Sequence, residues 1–174
     1  MARQLAVAAD PRHSGAMTPF AWLLGFVLPA CGFAGAQGLP APGPLDLGHL
    51  HRPASPNTAL AAPAGIASDI VTPIYPAPPQ RLYAEVIAMA ADQPRTFVAA
   101  EFPAERQVHF VVRSALLNFP DLVTAQVSDA GSGASLLVLY SRSVYGYSDL
   151  GANRRRLSAW LAALQVRINP KAER

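Results

Sequence analysis

The sequence predicts an α+β fold, a two-layer sandwich in which a mostly antiparallel four-stranded sheet carries one helix before its strands and one after them, both on one face. Four segments between residues 96 and 144 have the alternating or continuous apolar patterns of strands, and segments with helical spacing flank them on both sides. Short connections join the strands, which favours antiparallel neighbours.

The first helix and the strands follow from this spacing. Residues 81–91 repeat apolar side chains on one helical face, and Pro94 supplies the stop. Residues 130–133, Ala-Gly-Ser-Gly, predict a hairpin between the last two strands. The strands are predicted over residues 96–102, 107–115, 122–128 and 135–144. The third strand alternates cleanly, so we expect its outer face to be largely wet, whereas the fourth suits a more central place.

The last helix is predicted to begin after Ser148 or Asp149, either of which can accept bonds from the free N–H groups of the first turn. On a helical wheel, the inward stripe includes Asn153, with Arg154 at its edge. The apolar members of the stripe are Leu150, Leu157, Leu161, Leu164 and Ile168. The two arginines that follow Arg154 point outward on this wheel, so we expect both to be solvated.

The 174 residues have room for one small domain. We divide the chain into a signal peptide over residues 1–36, a Pro-rich tether or strap over 37–80, the α+β domain over 81–168 and a C-terminal tail over 169–174. Proline fixes φ and removes a donor, so we expect neither a helix nor a central strand in the tether. Its last apolar residues, Ile70, Ile74 and Tyr75, should lie on the domain surface.

The first 36 residues have the pattern of an export signal. Residues 20–28 form a short apolar stretch, and residues 34–36, Ala-Gly-Ala, offer cleavage before Gln37. A membrane-spanning helix needs about 20 apolar residues, and Pro29 ends this stretch early. We therefore expect an exported protein of the periplasm or cell envelope, with no transmembrane helix in the mature chain.

Cys31 is the only cysteine, so no intrachain disulfide can form. Residues 28–31, Leu-Pro-Ala-Cys, are similar to a lipoprotein cleavage box in which this thiol would carry lipid, although the proline departs from that pattern. Cleavage after Ala36 is the preferred alternative, and it leaves a mature chain without thiol chemistry. Met17 is an alternative start of translation.

The charge of the chain excludes one class of partner. The formal net charge is +3, and two of the basic residues, Arg3 and Arg12, lie in the predicted leader. Binding to nucleic acid needs a clustered basic surface rather than a slight excess, so we expect no nucleic-acid partner.

The junction between the last strand and the last helix, residues 139–156, combines several unusual local demands. With Arg113-Ser114 and Phe119-Pro120-Asp121 upstream, it resembles the DUF1499 family, a set of bacterial and plant proteins. Its most specific residues are Ser141, Arg142, Ser143, Gly146, Asp149, Gly151, Asn153 and Arg154. The resemblance covers residues 55–164, implies a small α+β domain of unknown function, and assigns no catalytic role to any residue.

These signature residues have two interpretations. In the structural one, Asn153 and Arg154 find partners that pin the last helix to the sheet, because an unsatisfied buried polar group costs about 1–3 kcal/mol. The structural set is Arg113, Ser114, Asp121, Ser141, Ser143, Gly146 and Gly151, with Gly146 placed where a side chain would obstruct the backbone. In the other, an anion-binding pocket forms at the helix start from Arg142, Asp149, Asn153 and Arg154. Arg113 and Asp121 are also close enough in sequence to pair across a hairpin.

No catalytic or metal constellation stands out. His49 and His51 lie in the tether without a third ligand nearby, and His109 is the only histidine of the body. No serine has the context of a nucleophile elbow. Four aromatic residues near the signature are typical of core: Tyr140, Tyr145, Tyr147 and Trp160. We assign no catalytic residue, no metal and no cofactor.

Two functions of different classes stay open. The first is a non-enzymatic binding or structural module of the cell envelope, with a small anionic ligand, a lipid or an envelope protein as its partner. The alternative is an envelope hydrolase or transferase that uses Asp121, Asp149 and Arg154. An open cleft that gathers these side chains would favour the enzyme, whereas closed hydrogen bonds among them would favour architecture.

Overall fold

The structure is a computed structural model and describes residues 28–169. The predictions for the apolar part of the leader before residue 28 and for the end of the tail lie outside the described residues. The described part contains the strands and helices β1 Thr58–Pro63, β2 Ile70–Thr72, α1 Pro79–Ala91, β3 Thr96–Phe102, β4 Gln107–Arg113, β5 Pro120–Gly131, β6 Ala134–Ser143 and α2 Ala152–Ile168, preceded by a short 3-10 turn, Pro29–Gly32.

The sheet is six-stranded and mixed, with the order β2-β1-β6-β5-β4-β3. The four predicted strands are present and antiparallel, as β3 to β6. The prediction of a four-stranded sheet is wrong in number, because the Pro-rich tether adds β1 and β2. Strand β1 pairs antiparallel with β6 on one side and parallel with β2 on the other.

Strand β1 forms in spite of the proline content around it, because its prolines stand at its limits. Pro56 precedes the strand and Pro63 ends it, so the pairing residues between them keep their N–H donors. Asp69 completes the ladder beyond the short parallel pair: its backbone N–H donates to the Leu60 carbonyl, and its carboxylate accepts the Leu60 N–H at 2.7 Å. The expectation that no central strand lies in the tether is therefore wrong.

The local turns follow the residues that the sequence provides. Pro79 opens α1 at the position where a missing N–H costs nothing, two residues before the predicted start. Ser132 and Gly133 join β5 to β6 with φ of 54° and 75°, as a type I′ hairpin requires. The predicted hairpin at residues 130–133 is confirmed.

Both helices pack on one face of the sheet and enclose the main core. Phe110 of β4 meets Trp160 of α2 edge to face, with ring centroids 5.5 Å apart. Tyr75 belongs to this core and is 1% exposed, because its backbone pairs with Ser135 of β6. It does not lie on the surface as predicted, while its neighbour Ile74 does.

The opposite face of the sheet is covered by the chain that precedes β1. Leu45, Leu47 and Leu50 pack against a small apolar cluster on β1 and β6. Gln107 of β4 holds this segment against the sheet. Its side-chain oxygen accepts the Leu45 N–H at 2.7 Å, and its side-chain NH₂ donates to the Leu45 carbonyl at 2.8 Å. The face of β5 that was predicted to be largely wet is therefore half covered.

Candidate functional site

Asn153, in the first turn of α2, lies at the centre of the signature. Its side chain is wholly buried, and its amide donates to the Asn57 carbonyl at 2.9 Å and to the Ser143 hydroxyl at 3.0 Å. Its oxygen accepts the Ser141 hydroxyl at 2.5 Å and an Arg156 N–H at 2.6 Å. All four hydrogen-bonding positions of the amide are occupied, so it pins the start of α2 to β1 and β6.

Asp121 of β5 extends this network through an ion pair with Arg156. The two side chains meet at 2.5 Å and are 10% and 13% exposed, and Arg156 also donates to the Ser141 hydroxyl at 3.0 Å. We call Asn57, Asp121, Ser141, Ser143, Asn153 and Arg156 the pinning network. Its hydrogen bonds close on one another, which is the arrangement expected of architecture rather than of an open site.

Asp149 caps α2 from two residues before the N-terminal cap position. Its carboxylate accepts the N–H of Gly151 at 2.9 Å and that of Asn153 at 2.6 Å. Ser148 accepts the Leu150 N–H at 3.2 Å. The predicted capping role is therefore observed, and the positive end of the helix dipole already faces a carboxylate of the chain itself.

Gly146 and Gly151 are required by conformation rather than by crowding. Their φ angles are 89° and 79°, a region that side chains rarely adopt. A Cβ at Gly146 would have only a backbone oxygen at 3.8 Å, so the expected obstruction does not exist there. The Gly146 carbonyl accepts the side-chain N–H of Asn57 at 2.7 Å, which ties this loop to the start of β1.

Arg113 and Ser114 lie at the end of β4 and do not contact Asp121. Ser114 closes the loop to β5, since its hydroxyl accepts the Phe119 N–H at 2.9 Å. Arg113 is 2% exposed and donates to backbone carbonyls, among them that of Gly35 at 2.9 Å. Burial lowers the pKa of the Arg113 guanidinium.

The structure does not bring Arg142 and Arg154 together. Ser141 and Ser143 face α2, so Arg142 between them points to the opposite face of the sheet. Arg154 lies on the exposed side of α2. Neither guanidinium has a hydrogen-bond or ion-pair partner within residues 28–169.

Arg154 lines an open groove at the start of α2, which we call the α2 groove. Its walls are residues 52–56, Thr58 and Asp69 on one side and residues 148–151 and Arg154 on the other, around a cavity of about 680 Å³. Arg52 already pairs with Asp69 at 2.7 Å. Arg154 is thus the one cation of the groove wall that is left without a counterion in the described chain.

The remaining candidates fall elsewhere. Trp160 lies in the main core, and Tyr140 is buried under the segment that carries Leu45, Leu47 and Leu50. Tyr147 is 76% exposed. His49 pairs with Asp46 at 2.8 Å, and this contact raises the pKa of the exposed imidazole. Residues 28–169 contain no group of three or more His, Cys, Asp or Glu side chains that could hold a metal ion.

His109 is buried on the covered face of the sheet. Its Nε2 contacts the Gln107 side-chain oxygen at 2.8 Å, and its Nδ1 contacts the Thr124 hydroxyl at 3.3 Å. Because the Gln107 oxygen only accepts, Nε2 carries the proton of the neutral ring. Burial, with a further contribution from Arg142, lowers the pKa of His109 to about 4.

Sequence reasoning missed two members of the pinning network. Arg156 was predicted to be solvated, because the wheel included Leu161 in the inward stripe and left out Trp160, which lies on the side of Arg156. Leu150 precedes α2 and is 84% exposed, and the buried stripe is Asn153, Leu157, Trp160, Leu164 and Ile168. Asn57 had only a weak signal, its place after a proline in the tether.

The fold and the pinning network define a class of protein: a small α+β domain whose last helix is locked onto a mixed sheet by buried polar contacts. The chain belongs to the DUF1499 family, described as a protein of unknown function, whose model matches residues 50–164. The match includes β1 and β2 of the tether as well as most of α2. No curated protein and no solved structure matches the chain. No helix in the described residues is long and apolar enough to cross a membrane.

Proposed function

We propose that this chain is an exported, non-enzymatic binding module of the cell envelope, and that its α2 groove binds the anionic headgroup of a lipid or a free anion of the same chemistry. The observation that carries the proposal is the Arg154 guanidinium, which lines an open groove without a partner in the described chain. An arginine fork is suited to the paired oxygens of phosphate or carboxylate.

The surroundings of the groove favour an amphiphile over a free anion. Tyr147 and Leu150, on the loop that leads into α2, are 76% and 84% exposed. Leu150 is also held at φ 53°, a strained conformation for a residue other than glycine. An apolar side chain displayed beside an unpaired cation matches the boundary between an acyl chain and its headgroup.

The carboxylates of the enzymatic alternative are occupied. Asp121 is paired with Arg156 inside the pinning network, and Asp149 accepts the backbone N–H groups of Gly151 and Asn153. An acid or base must reach a proton of the substrate. Asp121 is buried against Arg156, and Asp149 lines the α2 groove with both of its oxygens already accepting backbone N–H groups. These contacts support a binding module rather than a hydrolase or transferase.

The test is binding of the purified chain to vesicles of phosphatidylglycerol mixed with phosphatidylcholine, measured by co-sedimentation. A cation near an anionic surface contributes about 1 kcal/mol, so Arg154→Ala should lower the partition coefficient about fivefold. Arg142→Ala is the matched control, because it removes an equally unpaired exposed arginine from the opposite face of the sheet and should have little effect.

The sources of the anion are separated by competition. Displacement from vesicles by millimolar inorganic phosphate would indicate a free anion as ligand, whereas loss of binding only when phosphatidylglycerol is replaced by phosphatidylcholine would indicate the lipid. Equal loss in the two arginine variants would show a non-specific effect of net charge. That result, or no binding of the wild-type chain, would refute the proposal for the α2 groove.

A further inference from the structure

Residues 30–37 lie against the end of β4 and the loop to β5, in a polar recess whose floor is Arg113. The guanidinium donates to the carbonyls of Ala30, Gly35 and Gln37, the last two at 2.9 and 3.0 Å, and to that of Asn118 at 3.3 Å. Within residues 28–169, no carboxylate forms an ion pair with this buried cation. Its charge is balanced by carbonyl dipoles, most of which the N-terminal segment supplies.

Asn118 holds the same segment from the other side. Its side-chain NH₂ donates to the carbonyls of Cys31 at 2.7 Å and Phe33 at 2.9 Å, and its oxygen accepts an Arg95 N–H at 2.6 Å. Asn118 is 5% exposed and has φ of 56°, a conformation that asparagine tolerates better than most residues. Arg113 and Asn118 together thus bind five backbone carbonyls of residues 30–37.

Cleavage after Ala36 would remove four of the five carbonyls that the segment offers, leaving only that of Gln37. The new α-amino charge would belong to Gln37, the residue whose carbonyl accepts from the Arg113 guanidinium. Arg113 would lose two of its four carbonyl acceptors, and the side-chain NH₂ of Asn118 would lose both of its own. Buried polar groups that lose their acceptors are strongly disfavoured. The folded domain is therefore in conflict with the cleavage site that the small residues 34–36 predict.

Attachment of lipid to Cys31 meets a different conflict. The side chain of Cys31 is wholly buried while residues 30–37 lie in the recess, so the thiol is not exposed for the attachment of an acyl-bearing group. Burial raises the pKa of this thiol, with the Arg113 guanidinium acting in the opposite direction. Modification of the sulfur would require the segment to leave its recess.

We propose that residues 30–37 are a permanent part of the folded domain, that any processing of the leader occurs before Ala30, and that Cys31 stays a free, protected thiol. This proposal is independent of the α2 groove, which lies on other elements. It replaces both processing sites considered from the sequence with one upstream of the recess.

The first test uses the full-length chain, produced with its leader in a Gram-negative bacterium and purified folded. We expect an intact mass that begins at or before Ala30, and one thiol that reacts with a maleimide after denaturation but not in the folded protein. A mass that begins at Gln37, which leaves no cysteine, or one that begins at a lipid-modified Cys31, would overturn the proposal.

The second test examines docking even if the leader is not processed. Gly38 has φ of 76°, and a Cβ there would lie 2.3 Å from the Phe33 ring and 3.2 Å from the Ala30 backbone. A left-handed conformation disfavours an L residue enough to raise opening of the segment about five- to thirtyfold. Gly38→Ala should therefore accelerate maleimide labelling of Cys31 in the folded chain by at least that factor.

Gly43→Ala is the matched control, because a Cβ at Gly43 meets nothing within 4 Å and its φ is not in the restricted range. Its labelling rate should equal that of the wild type. Fast labelling of Cys31 in the folded wild-type chain, or equal rates in the two glycine variants, would show that residues 30–37 are not held in the recess.

Discussion

Removal of the Asp121 charge tests whether the pinning network is architecture. Asp121→Asn leaves Arg156 13% exposed without its counterion, but with acceptors from Ser141 and Asn153 at 3.0 and 2.6 Å. Breaking one side of a buried pair costs about 3–5 kcal/mol. The remaining acceptors and the partial exposure place the expected loss at the lower end, about 3 kcal/mol.

The assay is urea unfolding followed by circular dichroism. With a slope of about 2 kcal/mol per molar urea, a loss of this size moves the midpoint by about 1.5 M. Asp92→Asn is the matched control, because Asp92 pairs with Arg167 at the surface and is 67% exposed. Surface pairs contribute about 0–1 kcal/mol, so its midpoint should move far less. Equal midpoints for the two variants would refute the structural role of Asp121.

Three further predictions concern buried polar groups. His109 has a pKa of about 4 in the folded protein and an ordinary one near 6.5 in the unfolded chain. The neutral ring therefore stabilises the folded state fully above pH 6.5, and this part of the free energy of unfolding is lost as the pH falls toward 4. That loss amounts to about 3 kcal/mol, and unfolding at a series of pH values should show it in the wild type but not in His109→Gln. Tyr75→Phe should be neutral or stabilising by up to about 1 kcal/mol in thermal unfolding, since the Tyr75 hydroxyl is buried without a partner among the described residues; a clear loss would contradict this. Gln107→Ala should abolish hydrogen-exchange protection of the Leu45 amide, which would be contradicted by unchanged protection.

The body of the fold could be predicted because its signals are local. Each strand from β3 to β6 has its own apolar pattern and its own turn, so the ends of β3 agree with the predicted residues 96–102. Strand β1 has no such signal: its sequence, Thr-Ala-Leu-Ala-Ala-Pro, is poor in residues that favour strands. Its place is set by pairing with β6, some 80 residues later in the chain, where small side chains fit beneath α2.

Most residues of the pinning network could be predicted from the sequence, but the side chains and carbonyls that they contact could not. Asn153, Ser141 and Ser143 meet as the structural interpretation required. The arginine beside them is Arg156 rather than Arg154, because the buried stripe of α2 includes Trp160 and is therefore rotated toward Arg156. Three of the four carbonyls that Arg113 contacts lie more than 70 residues away in the chain. Every residue has a backbone carbonyl, so the sequence does not show which ones accept from this arginine.

The distribution of covered surface limits where a partner can bind. One face of the sheet lies under α1 and α2, and much of the other lies under the chain before β1. Arg113 holds part of the N-terminal covering and Asn153 holds the start of α2, so both of these buried polar side chains have structural roles. An open groove, the α2 groove, lies at the rim of the sheet, where the loop before α2 meets the approach to β1. Loops held by such a scaffold are where recognition is usually built, so the search for a ligand should vary residues 52–56, residues 147–151 and Arg154 before any residue of the pinning network.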